Sequence, residues 1–253
     1  MKKGLKTWIA AMSVLLLWYA AAASGVWSAY LLPGPEQVAH ALGDMLRDGE
    51  LARHALASFQ RVLTGFFVAL VFSLLLAVIT ELLPALEGFY AGLLRALHHI
   101  PPMSLIPLLI LWFGIGETSK IIFIVLTSFF PMYLNTLQGL TSCDRKLLEA
   151  GQLLGLSKAE CFLRIRLPWA IPSILTGMQI GLGYSWRAIV GAEMIAAVSG
   201  LGYLILDAQM MARSDKVMAG ILVIGLIGYS TDAVFSRLVR RFQPGSTGWP
   251  DAE

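Results

Sequence analysis

Nineteen consecutive uncharged residues from Val62 to Thr80, twenty from Ile121 to Leu140 and twenty from Leu167 to Trp186 constrain this chain more than any other feature. About 20 apolar residues in a helix cross the roughly 30 Å hydrocarbon core of a bilayer, and a helix satisfies its backbone groups there from within the segment. Charged residues make up 14% of the chain and hydrophobic ones 57%, where a soluble domain carries about a quarter charged. The expectation is an all-α, polytopic membrane protein.

Taken in order, the chain predicts about six transmembrane helices. Lys2, Lys3 and Lys6 precede a first apolar run from Thr7 to about Ser24. A basic start ending in Ala21-Ala22-Ala23-Ser24 is also the pattern of a cleaved signal peptide. Against cleavage, the apolar character continues through Val26, and Trp27 and Tyr30 form an interfacial aromatic pair. Pro33-Gly34-Pro35 breaks the chain, and Glu36 to Gln60 reads as an outer-surface amphipathic helix leading into the second span at Val62. The third hydrophobic region is interrupted by His98-His99-Ile100-Pro101-Pro102 and again by Pro107. Proline removes a backbone donor, so this span should face a pore or a partner subunit, where the freed carbonyls are satisfied. The two histidines read as a kinked interfacial pair, since helix neighbours point different ways and no third metal ligand is evident.

Gly114 to Lys120 is a polar turn before the fourth span, Ile121 to Leu140. The fifth runs from Leu167 to about Val198, a loop covers Ser199 to Lys216, and the sixth is Val217 to Ser236. With the N-terminus inside, residues 1–6, 81–99, 141–166 and 237–253 are cytoplasmic and hold 12 of the 19 Lys and Arg, the positive-inside asymmetry. The linear division is 1–56 as an N-terminal span plus outer-surface segment, 57–240 as a core with a cytoplasmic loop at 143–168, and 241–253 as a cytoplasmic tail.

That loop has its own grammar. Glu149-Ala150-Gly151 is followed by Gly155-Leu156, then by Ile165 and by Leu167-Pro168 ahead of the fifth span. Gly155 can take positive φ and end one helix, and Ser157 can cap the next, giving two short helices at an angle. The second carries Ala159, Phe162, Leu163 and Ile165 against Lys158, Glu160, Arg164 and Arg166, an amphipathic pattern that suits either a protein groove or the lipid headgroups. Cys143 and Cys161 both fall here; in a cytosolic loop they are reduced thiols.

The spacing resembles the EAA loop of ABC-importer permeases, Glu-Ala-Ala, three residues, Gly, nine residues, Ile, any residue, Leu-Pro, with Gly151 where that family usually has Ala. Ile100-Pro101-Pro102 through Gly116 and Ala192-Glu193-Met194 through Tyr203 are similar to the nitrate, sulfonate and taurine branch of the family. The resemblance implies a type I importer architecture in the bacterial inner membrane with both termini cytoplasmic. It also implies a homodimeric pore and a cytosolic ATPase pair that carries ATP and Mg and grips Glu149, Ala150, Gly151, Gly155, Leu156, Ile165, Leu167 and Pro168. An extracytoplasmic solute-binding protein would deliver a small, anionic solute.

The chain contains no Gly-Lys dipeptide, hence no P-loop, and no His-Glu-x-x-His; no enzyme site, cofactor site or nucleic-acid partner is expected. Energy then comes from another chain or from an ion gradient. An ion-coupled carrier would use buried carboxylates such as Glu193 or Asp232 and internal repeats, and no convincing repeat is present. Arg187 and Glu193 are the costly residues of the fifth span. Both are candidates for the translocation path, and the rival reading for Arg187 is an ion pair with another helix, at Asp232. Gly177, Gly181 and Gly183 allow close helix approach, between subunits or within one.

Overall fold

The computed structural model describes residues 2–242, and helix is the only regular structure among them. The order is α1 (Lys2–Ala23), α2 (Pro35–Arg47), α3 (Glu50–Leu82), α4 (Pro84–His98), a 3₁₀ turn (Pro102–Leu105), α5 (Ile106–Phe113), α6 (Glu117–Thr141), α7 (Arg145–Leu153), α8 (Lys158–Cys161), a π-helical segment (Phe162–Arg166), α9 (Leu167–Ala196), α10 (Leu201–Met210) and α11 (Ser214–Phe242). The expected cytoplasmic tail lies, from residue 243 onward, outside the described residues.

Among the described residues, α3, α6 and α11 are each long and apolar enough to cross a bilayer. Two further stretches reach that length and apolarity only as bent helix pairs: α4 with α5, bent by 94°, and α8–α9 with α10, bent by 42°. The apolar stretch Trp8–Ala23 of α1 is shorter. The six expected spans, with an interruption expected only in the third, therefore resolve into three long helices, two bent pairs and one shorter helix.

Each break has a local cause. Pro101 takes φ −59° and ψ 120°, the extended form imposed on a residue that precedes proline, and the chain leaves α4 there. Pro107, expected to interrupt the span, sits instead in the first turn of α5, where its missing N–H has no helical acceptor to lose. The single outer helix expected from 36 to 60 is two helices, because Gly49 adopts φ 68° between α2 and α3. Residues 81–99, assigned above to the cytoplasm, are largely α4. The loop expected over 199–216 contains α10: Leu201, Leu204, Ile205 and Ala208 are its buried positions, an i, i+3, i+4, i+7 stripe that the surrounding glycines obscured.

The chain forms two compact units, Met1–Ser58 with Glu193–Ile227, and Phe59–Ala192 with Gly228–Glu253. In the first, α2 buries Val38, Ala41 and Met45, Lys216 Nζ meets Glu50 Oε2 at 2.7 Å, and α10 packs on α11 where a Cβ at Gly220 would stand 2.8 Å from Ile205.

In the second unit, one cluster joins Ile106, Leu109, Phe123, Ala188 and Ala192, and another joins Ala77, Tyr133, Leu140 and Ala170. Lipid gives helices no hydrophobic drive toward each other, so close packing at small residues holds them. At Gly181 a Cβ would meet the Met132 side chain, and at Gly177 it would stand 2.9 Å from Asn135 Cβ. Both glycines serve contacts within one subunit, whereas the space beside Gly183 is open. Arg61 Nε and Lys120 Nζ, both buried, clamp Glu117 at 2.6 and 2.9 Å. Lys120 thus belongs to the first turn of α6, not to a polar turn before it.

Candidate functional site

Asp144 opens the loop by accepting the Lys146 N–H at 2.9 Å, an N-cap that satisfies one of the orphan donors of α7. The helix closes with a Schellman motif: Gly155 N donates to Gln152 O at 2.9 Å and Leu156 N to Gly151 O at 3.1 Å. That geometry requires a left-handed residue, and Gly155 has φ 85°, as its place in the motif predicts. Ser157 then starts α8 with a capping box, its N–H donating to Glu160 Oε2 at 2.9 Å and its Oγ accepting the Glu160 N–H at 3.3 Å.

The motif positions divide into two groups. Gly151 is buried, and a Cβ there would lie 2.6 Å from Ile165 Cδ1, 3.3 Å from Cys161 Sγ and 3.5 Å from Leu156 Cδ1. Gly151, Leu156, Cys161 and Ile165 thus form the small nucleus that fixes α7 against α8 and the π-helical segment. Glu149, Ala150, Gly155 and Pro168 are exposed, and Leu167 is half-buried. Glu149 meets Arg145 at 3.2 Å with both side chains largely in solvent, a pair that contributes little to stability and leaves the carboxylate accessible. Leu153 and Leu154, at the end of α7, are 89% and 84% exposed.

The second short helix differs from expectation. α8 does not stop before Pro168 but passes through the π-helical residues 162–166 into α9; the wider π turn falls immediately ahead of Pro168, which has no N–H to donate back into it. The predicted apolar face is split: Phe162 packs toward the Ala77–Tyr133 cluster, Ile165 toward Gly151, and Leu163 stays 60% exposed. Arg166 forms an ion pair with Glu81 at the end of α3, tying the loop to a second helix. Sequence gave no sign of this pairing across 85 positions. Burial pushes the Cys143 thiol up from its ordinary value, against the opposing pull of Arg166, so it is a weak nucleophile at neutral pH.

The two residues singled out in the fifth span have different surroundings. Arg187 is exposed, its guanidinium 5.7 Å from the centre of the Tyr184 ring. Glu193 is fully buried. Ser58 Oγ donates to its carboxylate at 2.8 Å, and Gly202 N donates to Oε2 at 3.0 Å. Ser58 Oγ also accepts Leu201 N at 2.9 Å, and His54 Nδ1 accepts Gly200 N at 3.0 Å while its ring stacks on Tyr203. The sequence marks Ser199 to Tyr203 by resemblance but does not join that turn to His54 and Ser58, which lie more than 140 positions away. Asp232 accepts from Gln179 Nε2 at 3.1 Å, so that carboxylate is engaged by an amide.

The family described as the binding-protein-dependent transport system inner membrane component matches residues 69–244. The taurine transport system permease protein TauC of Escherichia coli (strain K12) is 36% identical over 242 residues, covering 93% of this chain and 88% of that one. SsuC of Bacillus subtilis (strain 168), named as a transport permease protein for aliphatic sulfonates, is 34% identical over 90% of this chain and 82% of its own. Among solved structures, the inward-facing MetNI methionine ABC transporter superposes with a TM-score of 0.61 over 75% of this chain and 96% of that chain, at 15% identity. At that identity the likeness is one of fold.

Proposed function

The chain belongs to the family of binding-protein-dependent transport system inner membrane components, and from that membership we propose that it is the pore-forming subunit of an ATP-driven ABC importer for a small organic anion of the taurine and aliphatic sulfonate kind. A separate ATPase, bearing ATP and Mg, hydrolyses the nucleotide; a solute-binding protein delivers the cargo; and two copies of this chain enclose the path. The Glu149–Pro168 loop docks the ATPase through Glu149, Ala150, Leu153 and Leu154, while Gly151, Gly155, Leu156, Ile165 and Leu167 hold its shape. Arg187 lines the path. Glu193 we assign to holding the Gly200 turn, its carboxylate being enclosed by backbone and hydroxyl donors.

The observation that carries this reading is the 36% identity with TauC along nearly the whole chain, and the exposed leucines at the end of α7 support the docking role. Its test is co-expression with the candidate ATPase and binding protein, co-purification, and uptake of taurine and ethanesulfonate into proteoliposomes. The expected result is a stable complex whose uptake needs internal or external ATP on the ATPase side and ignores ionophores. Uptake that survives ATP depletion and collapses with an ionophore assigns the chain to gradient-driven carriers instead.

A further inference from the structure

Two cavities of nearly equal size lie in the second unit, and their chemistry is opposite. One, about 420 Å³, is lined by Thr80, Glu81, Glu87 and Gln138 among others, so two carboxylates border it. The other, about 430 Å³, lies where the chain breaks between α4 and α5, bordered by His98, Thr127, Phe130, Asn135, Ile180 and Tyr184, and no carboxylate is among its lining residues. Irregular backbone at membrane depth persists where it borders protein or a water-filled space. The break between α4 and α5 is such a stretch of irregular backbone, with the two helices bent by 94° across it.

We propose that this second cavity is a binding site for the alkyl-bearing anion on its way through the subunit, resting on the reading above that the cargo is a small sulfonate. Its wall supplies what such a molecule needs. Phe130 and Ile180, with Leu97, Leu105 and Leu126 beside them, take a short alkyl chain. A sulfonate is an acceptor only, and donors stand around the cavity: the imidazole of His98, which carries an N–H in either neutral tautomer, the phenol of Tyr184, and the second N–H of the Asn135 amide, whose first donates to Pro131 O at 2.7 Å. Ile180, Tyr184 and Arg187 share one stripe of α9, at i, i+4 and i+7, with the guanidinium of Arg187 over the Tyr184 ring. A cation one turn beyond the cavity, with no carboxylate in its wall, favours an anion over a cation of equal size. His98, packed 5.0 Å from Phe130, is thereby a ligand-facing residue and not only a helix terminus.

The test reads chain-length preference in the complete transporter, with ethanesulfonate and hexanesulfonate as probes. The binding protein is common to every assay, so the ratio of the two uptake rates, variant over unaltered, isolates the membrane subunit. Ile180→Trp, which fills the cavity, is expected to lower the hexanesulfonate-to-ethanesulfonate ratio about tenfold; Ile180→Ala is expected to raise it, since one or two methylenes in an apolar pocket change selection on this scale. Arg187→Gln is expected to lower both rates about tenfold, with Arg187→Lys retaining most of the uptake. ATPase co-purification of each variant reports assembly, and the exposed position of Ile180 keeps its folding cost low. ATP-driven uptake with an unchanged ratio in both Ile180 variants means that lipid or a second copy fills the cavity, and overturns this site alone. ATP-independent uptake, or none of either probe by the unaltered complex, overturns the reading beneath it and the site together.

Discussion

Gly151 and Ile165, fourteen positions apart in one short loop, stand so close that a Cβ on the first would lie 2.6 Å from Cδ1 of the second. The packing that holds α7 to the π-helical segment passes through this contact. Gly151→Ala meets the far end of the Ile165 side chain and, at 3.3 Å, Cys161 Sγ, while alanine gains about 1 kcal/mol of helix propensity over glycine, so the net effect on stability should be close to zero. Gly151→Leu has no room and should separate the two segments. ATPase co-purification is expected to survive the first change and fail in the second; a Gly151→Leu protein that binds the ATPase normally contradicts the assigned packing.

Gly155 faces open space, so size is no obstacle there; its φ of 85° is. A β-branched residue in the left-handed region costs about 1–3 kcal/mol, asparagine considerably less. Gly155→Val should depress ATP-driven uptake severalfold, and Gly155→Asn should restore most of it. Equal uptake by the two variants would show that the Schellman turn is dispensable.

The Glu81–Arg166 pair predicts a charge-specific response. The two side chains are only 12% and 25% exposed, and removing one member leaves the other without its counter-charge, at about 1–3 kcal/mol. Glu81→Gln and Arg166→Gln should each lower the melting temperature of the purified complex by several degrees. The exchange Glu81→Arg with Arg166→Glu should recover part of that loss. If the double variant is no better than the sum of the singles, the pair does not couple the loop to α3.

At Gly200 the chain turns at φ 115°, and any Cβ would fall within 2.4 Å of the Glu193 carboxylate. Gly200→Ala therefore introduces both strain and a clash, and should abolish assembly or cut the yield of folded protein severalfold. Ser58→Ala, which removes a donor to Glu193, should cost about 1–3 kcal/mol, visible as a lower melting temperature with the loop still formed. Normal yield of the Gly200→Ala protein excludes this hub as a structural requirement.

Cysteine at Gly183, whose surroundings are open, should cross-link between two copies of the chain, whereas cysteine at Gly177 or Gly181, packed on α6, should not. The native Cys143 thiol, its pKa pushed up by burial, contributes slow background, and Cys161 is buried. Cross-links confined to a Cys143→Ser, Cys161→Ser background with Gly183→Cys place this stripe at the twofold contact; a monomer band under oxidation places it against lipid.

What the sequence revealed was local. Gly155, Ser157 and Pro168 carry backbone instructions that act over a few residues, and the uncharged runs report the solvent around them, so the all-α character, the loop and its caps were readable. Two kinds of feature escaped. The Glu81–Arg166 pair and the Ser58–Glu193 hydrogen bonds join residues far apart in the chain, and composition carries no record of which distant donors converge. Proline was the second: its effect depends on its place in the turn, so Pro101 stands between α4 and the 3₁₀ turn while Pro102 and Pro107 sit in first turns, and the α8–α9 continuity through Pro168 was hidden.

In an importer of the proposed kind, that continuity would make the segment a lever. From Lys158 to Arg187 the chain stays helical through the five-residue π-helical segment, a length of about 44 Å at 1.5 Å per residue. A swing of about 5° about the Lys158 end, where a nucleotide-driven partner would act, would displace the Arg187 end by about 4 Å, roughly the width of a methyl group. Mechanical advantage of this kind would need no signal relayed through side chains: the stroke of a hydrolysis cycle would become a change of bore by geometry alone.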